Sequence, residues 1–160
     1  MTASQSLHID NIMLTSVDGT IATHSAESSE KRRSAGMTNA ADFEHMRQIV
    51  AKCDAVFIGW RSMASERGAF RVADLRADGK EPLWMVFSRS GDMELSHPFW
   101  TQKQVPRAVS FCTDWDPQDP PMARCEERDL LGLSTDFYVG NIAGILDIAH
   151  TKGIKRIALL

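Results

Sequence analysis

Four short stretches of the chain are apolar almost without a break, and each is bounded by turn-forming or polar residues. They are "AVFI" at 55–58 inside "DAVFIGWRS", "LWMVFS" at 83–88, "RAVSFC" at 107–112 and "IKRIALL" at 154–160. "LHIDNIMLTS", Leu7 to Ser16, is a fifth, polar at first and apolar later. Runs of this length without strict alternation predict strands covered on both faces. Between them the period changes. Phe43, Met46, Ile49, Val50 and Cys53 recur at spacings of three and four, which predicts an amphipathic helix. Thr38 or Asn39 can cap it, and Asp42 sits in its first turn, where the helix dipole favours a carboxylate. "NIAGILDIAHTKG" predicts a second helix with Ile142, Ile145, Leu146 and Ala149 on one face and Gly153 as its stop. "SMASERGAF" reads as a short helix or turn.

Two stretches have no period. Residues 23–38, "THSAESSEKRRSAGMT", are polar and Ser-rich, and "DWDPQDPPMARCEERD" is acidic and Pro-rich; both are expected to be loops. Continuous apolar strands alternating with amphipathic helices imply an α/β fold with a mostly parallel central sheet between helical layers. No repeat and no linker divides the chain, so residues 1–160 are expected to form one domain.

Composition narrows the classes of function. The net charge is −3 with no long block of one sign, which argues against a nucleic-acid surface. No apolar run approaches the ~20 residues of a membrane helix. The first ten residues, "MTASQSLHID", lack both the basic start and the apolar core of a secretory signal. Cys53, Cys112 and Cys125 are far apart and odd in number, which suits a reducing, cytoplasmic setting and inert thiols. The five histidines form no metal-binding spacing, so no metal site is expected.

In parallel sheets ligands bind beyond the carboxyl ends of the strands. Ser16–Gly19, Gly59–Ser62 and Ser88–Ser90 are therefore expected along one rim. Gly59 lets a ligand approach the backbone. Arg61 can add a charge-assisted contact of about 1.5–3 kcal/mol. "SRSG", Ser88 to Gly91, offers two more hydroxyls and a second guanidinium. Two such tips suit a phosphorylated ligand, and two solvated turns remain the alternative. Neither G-x-G-x-x-G nor the P-loop pattern is present.

"NIMLTSVDGTIA" followed by "MTNAADFEHMRQIVAKCDAVFIGWRSM" resembles the dihydrofolate-reductase-like superfamily. It is most similar to the C-terminal reductase domain of the riboflavin-biosynthesis deaminase-reductase and its stand-alone relatives. "EPLWMVFSRSGDM" and "GILDIAHTKGIKRIALL" resemble that family's next strand and cofactor loop, and its helix and strand before a Gly-Gly turn. The resemblance implies a three-layer dihydrofolate-reductase-like fold, NADPH as hydride donor, a small-molecule substrate and a homodimer. Gly59 and Ser62 match positions that cradle the cofactor phosphates. Arg61, Ser88, Arg89 and Ser90 would lie near the adenosine 2′-phosphate, and Thr15, Ser16, Asp18 and Gly19 would border the nicotinamide.

Three departures bear on this. The Pro-Trp loop of dihydrofolate reductase proper is absent, which argues against folate. Glu66, Arg67 and Gly68 stand where the riboflavin reductases often carry D-D-P near the substrate. The family continues with Gly-Gly where this sequence ends, so the fold is expected to be cut short, with "KRIALL" as an unpaired edge. Asp42 and Glu66 are the candidate catalytic carboxylates. Against this, Asp42 can serve its own helix turn, Asp18 its own turn, and Glu66 can be a solvated surface acid. Trp60 is either a lid over the cofactor or a rim aromatic packed on a helix, and Trp84 is expected in the core. A non-catalytic nucleotide-binding or interaction module that kept the fold is the second reading.

Overall fold

Strands buried on both faces are apolar along their whole length, and that property places four of them inside one sheet. The computed structural model describes residues 6–13, 27–89, 91, 93–112 and 135–160. Their strands are β1 (His8–Asn11), β2 (Ala55–Gly59), β3 (Leu83–Ser88), β4 (Arg107–Cys112), β5 (Thr135–Gly140) and β6 (Arg156–Leu159). They form a six-stranded sheet in the order β1-β6-β2-β3-β4-β5. Every described pairing is parallel. The helices are α1 (Ser29–Ser34), α2 (Ala40–Val50), α3 (Trp60–Ser65), α4 (Pro98–Thr101) and α5 (Ile142–Thr151), with a 3-10 turn at Ala73–Leu75.

The pleat sends successive side chains to opposite faces. Val56, Ile58, Trp84, Val86, Val109 and Ala158 face one layer, where α2 supplies Val50, α3 supplies Met63, and α4 supplies Phe99 and Trp100. Ala55, Phe57, Met85, Ala108 and Ile157 face the other, where α5 supplies Ile145 and Ala149. This is the expected α/β sheet between helical layers. Trp84 is 1% exposed, as expected of a core residue.

Three expectations are corrected, and one strand is added. The C-terminal run is not an unpaired edge: β6 lies between β1 and β2. Asp54 anchors it, accepting from the backbone N–H groups of Lys155 (2.8 Å) and Arg156 (3.0 Å). On that side the edge strand of the described sheet is β1, whose polar character suits exposure. Residues 23–38 are not all loop, because α1 forms within them. Ser28 caps it, Glu30 lies in its first turn and Lys31, Arg32 and Arg33 in its last, each with the sign that the helix dipole favours. Ile142 does not join the buried face of its helix; it is 54% exposed at the first turn. Finally, β5 is a strand that no apolar run announced, since charged Asp136 lies within "TDFYVG". The acidic Pro-rich stretch lies outside the described residues.

Under the sheet edge, Asp10 of β1 binds Arg156 of β6 through two hydrogen bonds, 2.6 and 3.3 Å. That guanidinium holds the Asp10 carboxyl down at about 2. Cys53 lies beside them, fully buried, and burial pushes its thiol up to about 11. Such a thiol stays protonated and unreactive.

Candidate functional site at the carboxyl edge of the sheet

The parallel register brings two of the three expected tips together. Gly59, the last residue of β2, pairs with Phe87 of β3, so Ser88 and Arg89 emerge next to Gly59. Gly59 also caps the start of α3, in extended conformation. A Cβ added there would meet nothing within 4 Å, so the space above this backbone is open. Arg61 and Ser62 follow in the first turn of α3, both exposed. Arg61 and Arg89 have no ion pair among the described residues. Ser88 is buried, and its hydroxyl accepts from the Gly91 N–H at 3.1 Å, closing the turn after β3. Its role in that turn leaves the two guanidiniums, the Ser62 hydroxyl and the backbone as the exposed polar groups of the two tips among the described residues. Thr15, Ser16, Asp18, Gly19 and Ser90 lie outside the described residues.

The two candidate carboxylates are both engaged. Asp42 forms a capping box with Asn39: the Asp42 carboxylate accepts from the Asn39 N–H at 2.9 Å, and the Asn39 side chain accepts from the Ala41 and Asp42 N–H groups. Since α2 hands the chain to β2 within five residues, its start faces the carboxyl side of the sheet. Glu66 follows α3, and one of its oxygens accepts from the Ser29 N–H (2.9 Å), the Ser29 hydroxyl (2.6 Å) and Arg32 (3.4 Å). It is therefore not a solvated surface acid. At Gly68 the backbone has φ +125°, and an added Cβ would lie 2.9 Å from the Gln102 side chain. Proline cannot adopt that angle, so this turn could not take a proline at position 68 without a change of backbone.

Trp60 stacks on Trp100 at 5.5 Å and meets His97 edge-on at 5.5 Å. It packs on α4 as a rim aromatic. The His97 ring bridges the Glu66 carbonyl (3.0 Å) and the Phe99 N–H (3.3 Å), tying α4 to the turn after α3. Sequence reasoning missed this. The only available signal was His97 directly before Pro98, a cap followed by a first-turn proline. Among the described residues no group of His, Cys, Asp and Glu is arranged to hold a metal ion, and no helix is long and apolar enough to cross a membrane.

The parallel sheet agrees with what the chain matches. The family model of the RibD C-terminal domain matches residues 9–160. The chain belongs to the RibD C-terminal domain family. The family is that of riboflavin-pathway reductase domains with a dihydrofolate-reductase-like fold. One solved structure similar to this domain is a diaminohydroxyphosphoribosylaminopyrimidine deaminase/5-amino-6-(5-phosphoribosylamino)uracil reductase from Thermotoga maritima. The TM-score is 0.63 at 12% identity, over 96% of this chain and 38% of that one. At that identity the likeness concerns the fold, and this RibD C-terminal domain spans under two-fifths of the other chain. No curated protein matches the sequence.

Proposed function

We propose that this domain is an NADPH-dependent reductase that transfers hydride to a small heterocyclic substrate of the ribosylaminopyrimidine type. The observation that carries it is the pairing of β2 with β3. It sets Gly59, Arg61 and Ser62 beside Ser88 and Arg89, with two exposed guanidiniums lacking acidic partners among the described residues. A phosphate needs hydrogen-bond donors and positive charge, and this set supplies both. Open space over Gly59 suits a close approach of the cofactor phosphates, and Arg61 and Arg89 suit an adenosine 2′-phosphate. Thr15, Ser16, Asp18 and Gly19 would border the nicotinamide, and Ser90 the 2′-phosphate. When bound, the reduced nicotinamide supplies the hydride; the chain's part is to hold it near an electrophilic carbon and exclude water. Asp42, at the start of α2, is the carboxylate proposed to meet the substrate. The same reading carries a cytoplasmic setting and a homodimer.

A second reading, a nucleotide-binding module without catalysis, draws on the structural engagement of both carboxylates by helix caps and clasps. Both readings require nucleotide binding, so binding is tested first. Thermal melts with NADPH and NADH should show preferential stabilisation by NADPH, about 2.7 kcal/mol at a hundredfold excess over Kd. Arg61→Ala and Arg89→Ala should each weaken NADPH about tenfold, or about 1.4 kcal/mol, and NADH far less. Equal losses for the two cofactors would remove the 2′-phosphate assignment. No shift with either would remove the reductase reading. Turnover of an aminouracil ribotide with NADPH separates the reductase from the silent module.

A further inference from the structure

The sequence of α1 is Ser-Glu-Lys-Arg-Arg-Ser, without one apolar residue, and none of its residues is buried. Hydrophobic burial therefore does not hold it to the domain. Its attachments are polar, and most converge on the turn after α3. One oxygen of Glu66 takes the Ser29 N–H, the Ser29 hydroxyl and an Arg32 N–H. Arg67, next in the chain, pairs with Glu30 at 2.8 Å. Arg32 also donates to the Glu27 carbonyl at 3.3 Å. At the far end, Arg33 lies 5.6 Å over the Phe43 ring of α2. The segment thus bridges the turn after α3 and the start of α2, the two elements that flank the carboxyl edge. Meanwhile His97 holds the Glu66 backbone, so the turn carrying the clasp is fixed and α1 is the part that moves if the clasp opens.

We propose that α1 is a detachable strap beside the ligand rim and that Glu66 is the positioning residue that latches it. With the latch closed the strap restricts passage to the rim, and with the latch open it releases it. The Glu66–Arg32 contact is partly exposed, at 26% and 28%, so salt weakens it. The gating step rests on the reductase reading; the latch itself does not.

Lys31, Arg32 and Arg33 make the strap its own reporter, because trypsin cuts after each once the helix detaches. Cutting at 31–33 in the intact protein, normalised to a free peptide of residues 27–37 and read by mass spectrometry, measures detachment. Glu66→Ala should raise that rate at least tenfold while the main melting transition moves by less than about 2 °C. Glu66→Gln keeps an acceptor for the Ser29 groups and loses only the charge, so its rate should fall between. Raising salt from 20 to 500 mM should speed cutting in the wild type several-fold and in Glu66→Ala by less, since only the Arg67–Glu30 pair is left there to screen. If Glu66→Ala fails to fold, Ser29→Ala removes the 2.6 Å contact and should raise cutting a few-fold. In stopped flow, Glu66→Ala should speed NADPH association and dissociation together, leaving Kd within about threefold. Unchanged cutting in the variants would overturn the latch. Faster cutting with unchanged NADPH rates would overturn the gate. Absence of NADPH binding in wild type and variant alike would overturn the reductase reading and the gate together, leaving the latch to stand on proteolysis.

Discussion

Ser110 is fully buried on β4, and its hydroxyl has no partner among the described residues. An unpaired buried hydroxyl carries its desolvation cost without return. Ser110→Ala should therefore raise stability by about 1 kcal/mol, visible as a higher midpoint in urea with an unchanged slope. A lower midpoint would show that the hydroxyl is paired in solution. Other single residues were partly legible. Trp84, inside an apolar run, was readable as core. Asp42 had two readings from its position in the first turn, and the capping box explains one of them; only the direction of its carboxylate distinguishes a cap from a substrate contact. Glu66 was not legible, because its partners Ser29 and Arg32 lie more than thirty residues away.

Gly68 shows what a turn demands of its element. Gln102 crosses to residue 69 and both accepts from its N–H (3.0 Å) and donates to its carbonyl (2.6 Å). Gly68→Ala meets a positive φ and a side chain at 2.9 Å together, so it should cost about 1–3 kcal/mol. A matching fall in the denaturation midpoint checks this, and a neutral result would mean that the turn relaxes freely. The bounds of β3 and β4 were legible because a buried parallel strand is apolar throughout and flanked by turn residues. The helix α1 was hidden in a polar stretch, since six polar residues have no hydrophobic period and depend on a cap and on a distant carboxylate. Strand β5 was hidden for a related reason: its apolar content is diluted by Asp136, whose carboxylate pairs with Lys152 of α5 at 3.0 Å.

Across the whole molecule, the Asp10–Arg156 pair joins the edge strand to the sheet. Asp10 is held near 2, below its ordinary 3.8, so its contribution is present above about pH 4 and lost as pH falls toward 2. Melting temperature should drop over that window. Asp10→Asn should start lower at pH 5, fall less, and meet the wild type near pH 2. Asp74, Asp78 and Asp136, lowered by Arg47, Arg76 and Lys152 respectively, contribute to the slope left in the variant. Parallel curves for the two proteins would show that Asp10 does not contribute.

By itself the sequence determined the class of fold, the central strands, the two amphipathic helices and the family frame, because local period and turn chemistry are written in neighbouring residues. Only the tertiary structure decided that "IKRIALL" is an interior strand, that Gly59 and Ser88 emerge side by side, and that Glu66 fastens α1. Each of these is a contact between residues far apart in the chain, and strand order and long-range hydrogen bonds leave no local period to read.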